Sequence, residues 1–275
     1  ENTYARGVSP RVTRISGSFV PASVSASTAL SIRLPITRHI SQPGMGKSVH
    51  AEAISVSKRM RFSSQSACFA ASSAFTAGIE VFSEPELAWR LRPNETPWLT
   101  VTGTNGKTTT TTMLATILAT AGLRTTAVGN IGVPLIDAVL TGSPDYGGEP
   151  YDVLAVELSS YQLHWSSTLA PAAAALLNLA DDHLSWHGDF ARYAAAKAKL
   201  WQFPETTAVG NAQDPRVAAL LATAPGKAVG FTLEAPLPGE VGVVQTLRVD
   251  RAFTPDPSQA SEVGSITDVR PPGPH

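Results

Sequence analysis

The run Val101-Thr102-Gly103-Thr104-Asn105-Gly106-Lys107-Thr108 constrains this chain most, because it joins a short apolar strand (98–101) to a helix-forming stretch that opens on five threonines, Thr108 to Thr112. Glycines at such a junction let backbone N–H groups turn toward phosphate oxygens, and the helix N-terminus adds partial positive charge. Lys107 is placed to reach the outer phosphates and Thr108 to face a Mg²⁺ ion. The loop is two residues shorter than the common Gly-x-x-x-x-Gly-Lys-Thr form. Gly103, Thr104, Asn105, Gly106, Lys107 and Thr108 are therefore the candidate nucleotide-binding residues. A second Gly-Lys-Ser, at residues 44–48, has no apolar strand before it and lacks the outer glycine, so it reads as a decoy.

Around the loop, strands and helices alternate. Strand-like runs fall at 124–128, 152–156, 172–177, 207–209 and 227–231, and helix-like runs at 85–91, 108–121, 190–203 and 215–222. Such alternation predicts an α/β fold, a mostly parallel sheet flanked by helices, with ligands at the carboxyl ends of the strands. Three segments result: residues 1–79, a central nucleotide-binding domain over 80–254, and a tail over 255–275 that is rich in Pro, Ser and Gly.

Composition separates the first segment from the rest. Of 21 Lys and Arg and 22 Asp and Glu, residues 1–79 hold nine of the bases but only two of the acids, and they show no sustained period of 2 or 3.6. A poorly ordered arm, or a segment read out of frame or wrongly joined, explains this better than a targeting peptide, since no amphipathic Arg face is present. The overall charge of -1 argues against a nucleic-acid partner. The longest apolar stretch, near 170–180, is too short to span a membrane and reads as a buried strand. One cysteine, Cys68, excludes a disulfide framework and a cysteine metal cluster, and fits a cytoplasmic setting.

Further motifs follow the later strands. They are Gly129-Asn130-Ile131-Gly132, Glu157-Leu158-Ser159-Ser160-Tyr161-Gln162-Leu163, then Asn178 with Asp182-His183-Leu184, and Tyr193-Ala194-Ala195-Ala196-Lys197. Glu157, at a strand's end, can offer hard oxygen ligands to Mg²⁺, or can satisfy free N–H groups at a helix start. His183 alone reads as a structural histidine. His187, four residues on, suggests a two-histidine zinc site, but no helix-face carboxylate completes it. Lys197 alone reads as a solvated charge on the same helix face as Tyr193.

Together with the shortened loop, these motifs resemble the Mur ligase family across roughly residues 80–275, and the Glu157–Leu163 run is similar to that of its D-glutamate-adding members. The resemblance implies an ADP-forming acid–amino-acid ligase of peptidoglycan precursor synthesis, with ATP and Mg²⁺ as cofactors. Glu157 and His183 become Mg²⁺ ligands with Thr108. Lys197, rather than Lys199, becomes a carbamylated lysine that offers an anionic oxygen to the metal. Lys107, His183 and Lys197 carry the catalysis, while Asn130, Ser159 and Gln162 contact the nucleotide-sugar substrate, with turn and helix capping as their other reading. The expected partners are a UDP-linked muramoyl substrate and D-glutamate, handled by a monomer. Ser185 stands where the family has a second aspartate. Residues 1–79 do not resemble the family's UDP-gripping domain, and the family continues past the position of His275 into adenine contacts and an amino-acid-binding domain. The chain by itself is thus expected to bind nucleotide without ligating. The alternatives are a folylpolyglutamate synthase-like ligase and a non-catalytic nucleotide-binding fragment.

Overall fold

The computed structural model describes residues 80–92, 96–142, 148–256 and 258–268, together with four short strands, β1 (Leu30–Arg33), β2 (Thr37–Arg38), β3 (Ala51–Glu52) and β4 (Ser55–Val56). Apart from those strands, the expectations for residues 1–79, including the decoy at 44–48 and Cys68, lie outside the described residues. β1 pairs antiparallel with β4 and with β5 (Val81–Ser83), and β2 pairs with β3.

The main sheet has nine strands in the order β14-β13-β12-β11-β10-β9-β6-β8-β7. Its parallel part comprises β6 (Trp98–Thr102), β7 (Ala127–Gly129), β8 (Leu154–Glu157), β9 (Ala173–Leu176), β10 (Thr207–Asn211), β11 (Ala228–Phe231) and β12 (Glu240–Val244). Parallel strands covered on both faces must be apolar along their length rather than alternating. β8 is buried at all four residues, apolar from Leu154 to Val156 and ending in Glu157, and β6 is buried at four of five, with Thr100 and Thr102 among them. Trp98, Val128, Leu154, Val156, Leu163, Leu176, Leu200 and Trp201 belong to one packed core. Each such side chain contributes about 1.5–3 kcal/mol by leaving water, which keeps the strand ends above them fixed.

Helices cover both faces. Among the described residues they are, in chain order, α1 (Glu84–Leu91), α2 (Lys107–Thr120), α3 (Leu135–Thr141), α4 (Ser160–His164), α5 (Leu184–His187), α6 (Phe190–Ala198) and α7 (Pro215–Leu221). α2 packs on β6, β7 and β8, and α7 on β10 and β11. The chain leaves β6 toward β7 on one side, whereas from β9 it proceeds to β10 and β11 on the other. β6 and β9 are neighbours, so the order reverses between them, and the crevice above their carboxyl ends is where such sheets bind ligands.

Several boundaries differ from expectation. The second strand begins at Ala127 rather than 124, because Arg124 is held through its amide by the Asp152 carboxylate (2.7 Å) before ladder pairing starts. The helix expected over 190–203 ends at Ala198 and tightens into a 3-10 turn, Lys199–Trp201, which brings Trp201 Nε1 under β9 to donate to Ala174 O (2.8 Å). The stretch read as a tail is partly structured. Ser261–Ser265 forms β14 against β13 (Leu247–Asp250), both antiparallel, so the sheet runs past residue 254. Among the described residues no helix is long and apolar enough to cross a membrane.

Candidate functional site

The phosphate loop sits at the β6 side of the switch point. Gly106 takes φ 81 at the N-cap of α2, which no side chain caps, so a left-handed glycine starts the helix with its first amides free of side-chain acceptors. The β9 side grips the loop. Asn178 O accepts from Thr104 N (3.0 Å), Asn178 Oδ1 accepts from Asn105 N (2.8 Å), and Asn178 Nδ2 donates to Asn105 O (3.1 Å). Thr104 Oγ1 lies 2.9 Å from Tyr193 OH and accepts from Ala180 N. Nothing in the sequence assigns this task to Asn178 and Tyr193, because only the strand order brings β9 and α6 beside the loop.

Lys107 folds back on its own loop, donating to Thr104 O at 2.8 Å. Glu157, at the end of β8, is 1% exposed. It accepts from Thr108 Oγ1 (2.9 Å) through one carboxylate oxygen and from Asn130 Nδ2 (2.9 Å) through the other. Gly129 makes that approach possible: with φ 103, a Cβ there would lie 2.3 Å from Glu157 O, and Asn130 N donates to the same carbonyl (2.8 Å). Asn130, named as a substrate contact, is thus engaged with Glu157.

Lys197 is 3% exposed and points at the same place, donating to Gly103 O (2.8 Å). Burial, then the Lys107 charge, push its amine down to about 7, partly offset by Asp182 and Glu157. A substantial fraction is therefore the neutral, nucleophilic amine near neutrality. Lys199 is occupied elsewhere, donating to His164 O and Ser166 O at and just after the end of α4.

His183 stands further out. It has φ 53, its side chain is 44% exposed, its Nε2 lies 3.3 Å from Asp182 Oδ2, and its ring is 4.8 Å from that of Tyr161. His187 instead is buried with Nε2 3.0 Å from Ser160 Oγ. Burial, followed by the charges of His164, His183 and Lys197, pushes His187 down to about 4. One histidine facing out and one facing in do not converge on a shared ion, and among the described residues no group of three or more His, Cys, Asp and Glu forms a metal cluster. Ser159 and Gln162 cap α4 reciprocally: Gln162 N donates to Ser159 Oγ (3.3 Å) and Ser159 N to Gln162 Oε1 (2.9 Å). Ser185 is exposed on α5.

The donor set fits Mg²⁺. The ion prefers a few hard oxygens and completes its shell with water and substrate phosphate. Glu157 and Thr108 offer such oxygens beside a phosphate loop, and both donors to Glu157 are neutral, so its charge is not cancelled by a salt bridge among the described residues.

Comparison with protein families matches residues 101–251 to the Mur ligase middle domain. This chain belongs to the Mur ligase family. Among curated relatives, the UDP-N-acetylmuramoylalanine--D-glutamate ligase of Thermobifida fusca (strain YX) is 52% identical over 206 residues, covering 74% of this chain and 43% of the relative. The protein of the same name from Frankia casuarinae is 56% identical over 180 residues, covering 64% and 36%. This Mur ligase chain thus spans less than half the length of the relatives it matches. Its fold is similar to that of a solved UDP-N-acetylmuramoyl-L-alanyl-D-glutamate--2,6-diaminopimelate ligase, at 22% identity and a TM-score of 0.51, covering 66% of this chain and 42% of that one.

Proposed function

We propose that the protein containing this domain joins D-glutamate to UDP-N-acetylmuramoyl-L-alanine, with ATP first phosphorylating the alanyl carboxylate and the amine of D-glutamate then displacing phosphate. The observation that carries the reading is the convergence of Lys107, Thr108, Glu157 and Lys197 at the switch point, on a chain about half identical to ligases of that name. Peptidoglycan precursor synthesis is the pathway implied, and a nucleotide-linked substrate fits a cytoplasmic reaction.

Two anions, carboxylate and triphosphate, must meet here, so the site needs fixed positive charge and donors. Lys107 swings from Thr104 O to the outer phosphates, while the loop amides hold the inner ones, kept in register by Asn178. Thr108 and Glu157 would hold Mg²⁺, with His183 serving a second ion; the metal neutralises phosphoryl oxygens when bound. Lys197 in its neutral form would add CO₂ with loss of one proton to solvent, and the resulting carbamate would offer an anionic oxygen to the metal, as in the family pattern. Asn130, bonded to Glu157, and the α4 caps Ser159 and Gln162 would contact the nucleotide-sugar substrate, as the family pattern implies.

The test is a chimera in which residues 101–251 replace the matching segment of the Thermobifida fusca relative. Ligation of D-glutamate that depends on ATP, and is lost on Lys107→Ala, is expected. A folded chimera that forms no product would contradict the assignment, and one that extends a folate instead would favour the alternative ligase class.

A further inference from the structure

We infer that His187 is a positioning residue, whose buried ring holds His183 and Tyr193 in the arrangement that receives the metal. This rests on the reading of His183 as a Mg²⁺ ligand. His183 is one of two described non-glycine residues with positive φ, at 53°. A histidine there is strained by roughly 1–3 kcal/mol and stays only if its surroundings over-determine it. α5 supplies part of that hold, since Trp186 N and His187 N both donate to His183 O (3.0 and 3.1 Å).

The ring of His187 reaches the His183 ring through Tyr161. It is 6% exposed and bonds through Nε2 to the hydroxyl of Ser160, itself 2% exposed and three residues beyond Glu157. One face stacks on Tyr161 at 5.7 Å and 22°, and Tyr161 also touches the His183 ring. Its edge meets Tyr193 at 5.4 Å, whose hydroxyl contacts Thr104 and whose ring faces Lys197 Nζ at 4.8 Å. One imidazole thereby touches the neighbours of the loop, of Lys197 and of His183.

Packing alone does not account for a histidine there. Its Nδ1 is buried with no hydrogen-bond partner among the described residues, an arrangement that costs stability and that a phenyl ring would avoid. The bond to Ser160, which fixes the ring's rotation, is what the imidazole adds. Groups that orient metal ligands typically change metal affinity by about 10–100-fold when removed.

The experiment titrates Mn²⁺, as a paramagnetic substitute for Mg²⁺, into the 275-residue protein saturated with a non-hydrolysable ATP analogue. The variants are His187→Phe, Ser160→Ala, their double, and His183→Ala, each with a denaturation curve and an analogue titration in EDTA. His187→Phe and Ser160→Ala are expected to weaken Mn²⁺ binding about tenfold, with metal-free nucleotide affinity changed less than about twofold. The double variant pairs two apolar groups and should regain stability without regaining metal affinity. If His187→Phe fails to fold, Ser160→Ala and the double decide. Mn²⁺ affinity within about twofold of wild type in the folded variants, or recovered in the double, overturns the inference and leaves only packing. If His183→Ala itself leaves Mn²⁺ affinity unchanged, the metal reading of His183 fails and this inference falls with it.

Discussion

Glu86 and Glu157 are both withdrawn from water, at 0% and 1% exposure, yet their surroundings are opposite in kind. Glu86, on α1, is saturated: it accepts from Ser167 N, Thr168 N, Thr168 Oγ1 and Arg90 Nε, the last as an ion pair at 2.8 Å. Glu157 accepts from Thr108 and Asn130, both neutral, and keeps lone pairs free beside a phosphate loop. Burial by itself therefore says little. A buried carboxylate whose acceptor positions are filled holds α1 against the loop after α4; one left short, beside the phosphate loop, keeps oxygens free for the cation proposed above.

The widest gap between the two should appear in stability. Glu86→Ala strands the buried donors of Ser167 and Thr168, while Arg90 keeps its ion pair with Glu80, and is expected to cost about 3 kcal/mol in chemical denaturation. The protein that remains folded should bind ATP as before. A loss below about 1 kcal/mol would erase the contrast.

Glu157→Gln should do the reverse. It keeps the shape and removes a buried charge, so stability should change by less than about 1 kcal/mol. The strengthening of ATP binding by Mg²⁺ should fall by roughly tenfold or more in calorimetry. Destabilisation as large as that of Glu86→Ala, with Mg²⁺ dependence intact, would make Glu157 structural as well.

A smaller effect lies in pH. Burial pushes the Glu86 carboxyl up, but bonds from Thr168, Ser167 and Arg90 outweigh it and hold it below its ordinary value of 4.5. A depressed folded value means that the stabilisation is present above 4.5 and is lost as pH falls through the folded value. The stability difference between wild type and Glu86→Gln should therefore narrow as pH falls from neutral toward about 3. A gap constant over that range would show that the charge of Glu86 contributes nothing.

The contrast also separates what was legible in the sequence from what was not. The phosphate loop, the strand at 98–101 and the run ending in Glu157 were readable, because short-range spacing and apolar runs encode them. Lys197 could be chosen over Lys199 only through resemblance; in the fold, Lys199 serves carbonyls at the end of α4 and Lys197 the loop. The Asn178 grip and the Ser160–His187 bond could not be read, since they join residues 73 and 27 apart across the strand order. α4 and α5, five and four residues long, are shorter than any helical period can reveal. β14 lies in the stretch from 255 on whose Pro, Ser and Gly suggest a linker, and the short β12 and β13 carry no sustained alternation that marks them as strands. Glu86 gave no signal at all: a lone glutamate in an amphipathic helix looks solvated until the loop at 166–168 closes over it.

The most direct measurement is an ATP titration of the 275-residue protein, with and without Mg²⁺, beside Lys107→Ala. Saturable, one-to-one binding that Mg²⁺ strengthens, and that Lys107→Ala weakens by roughly 10–100-fold through loss of a charge-assisted bond to phosphate, is the predicted result. Binding that ignores Mg²⁺ and survives Lys107→Ala, with the variant still folded, would contradict the claim that the switch point between β6 and β9 is a magnesium–nucleotide site.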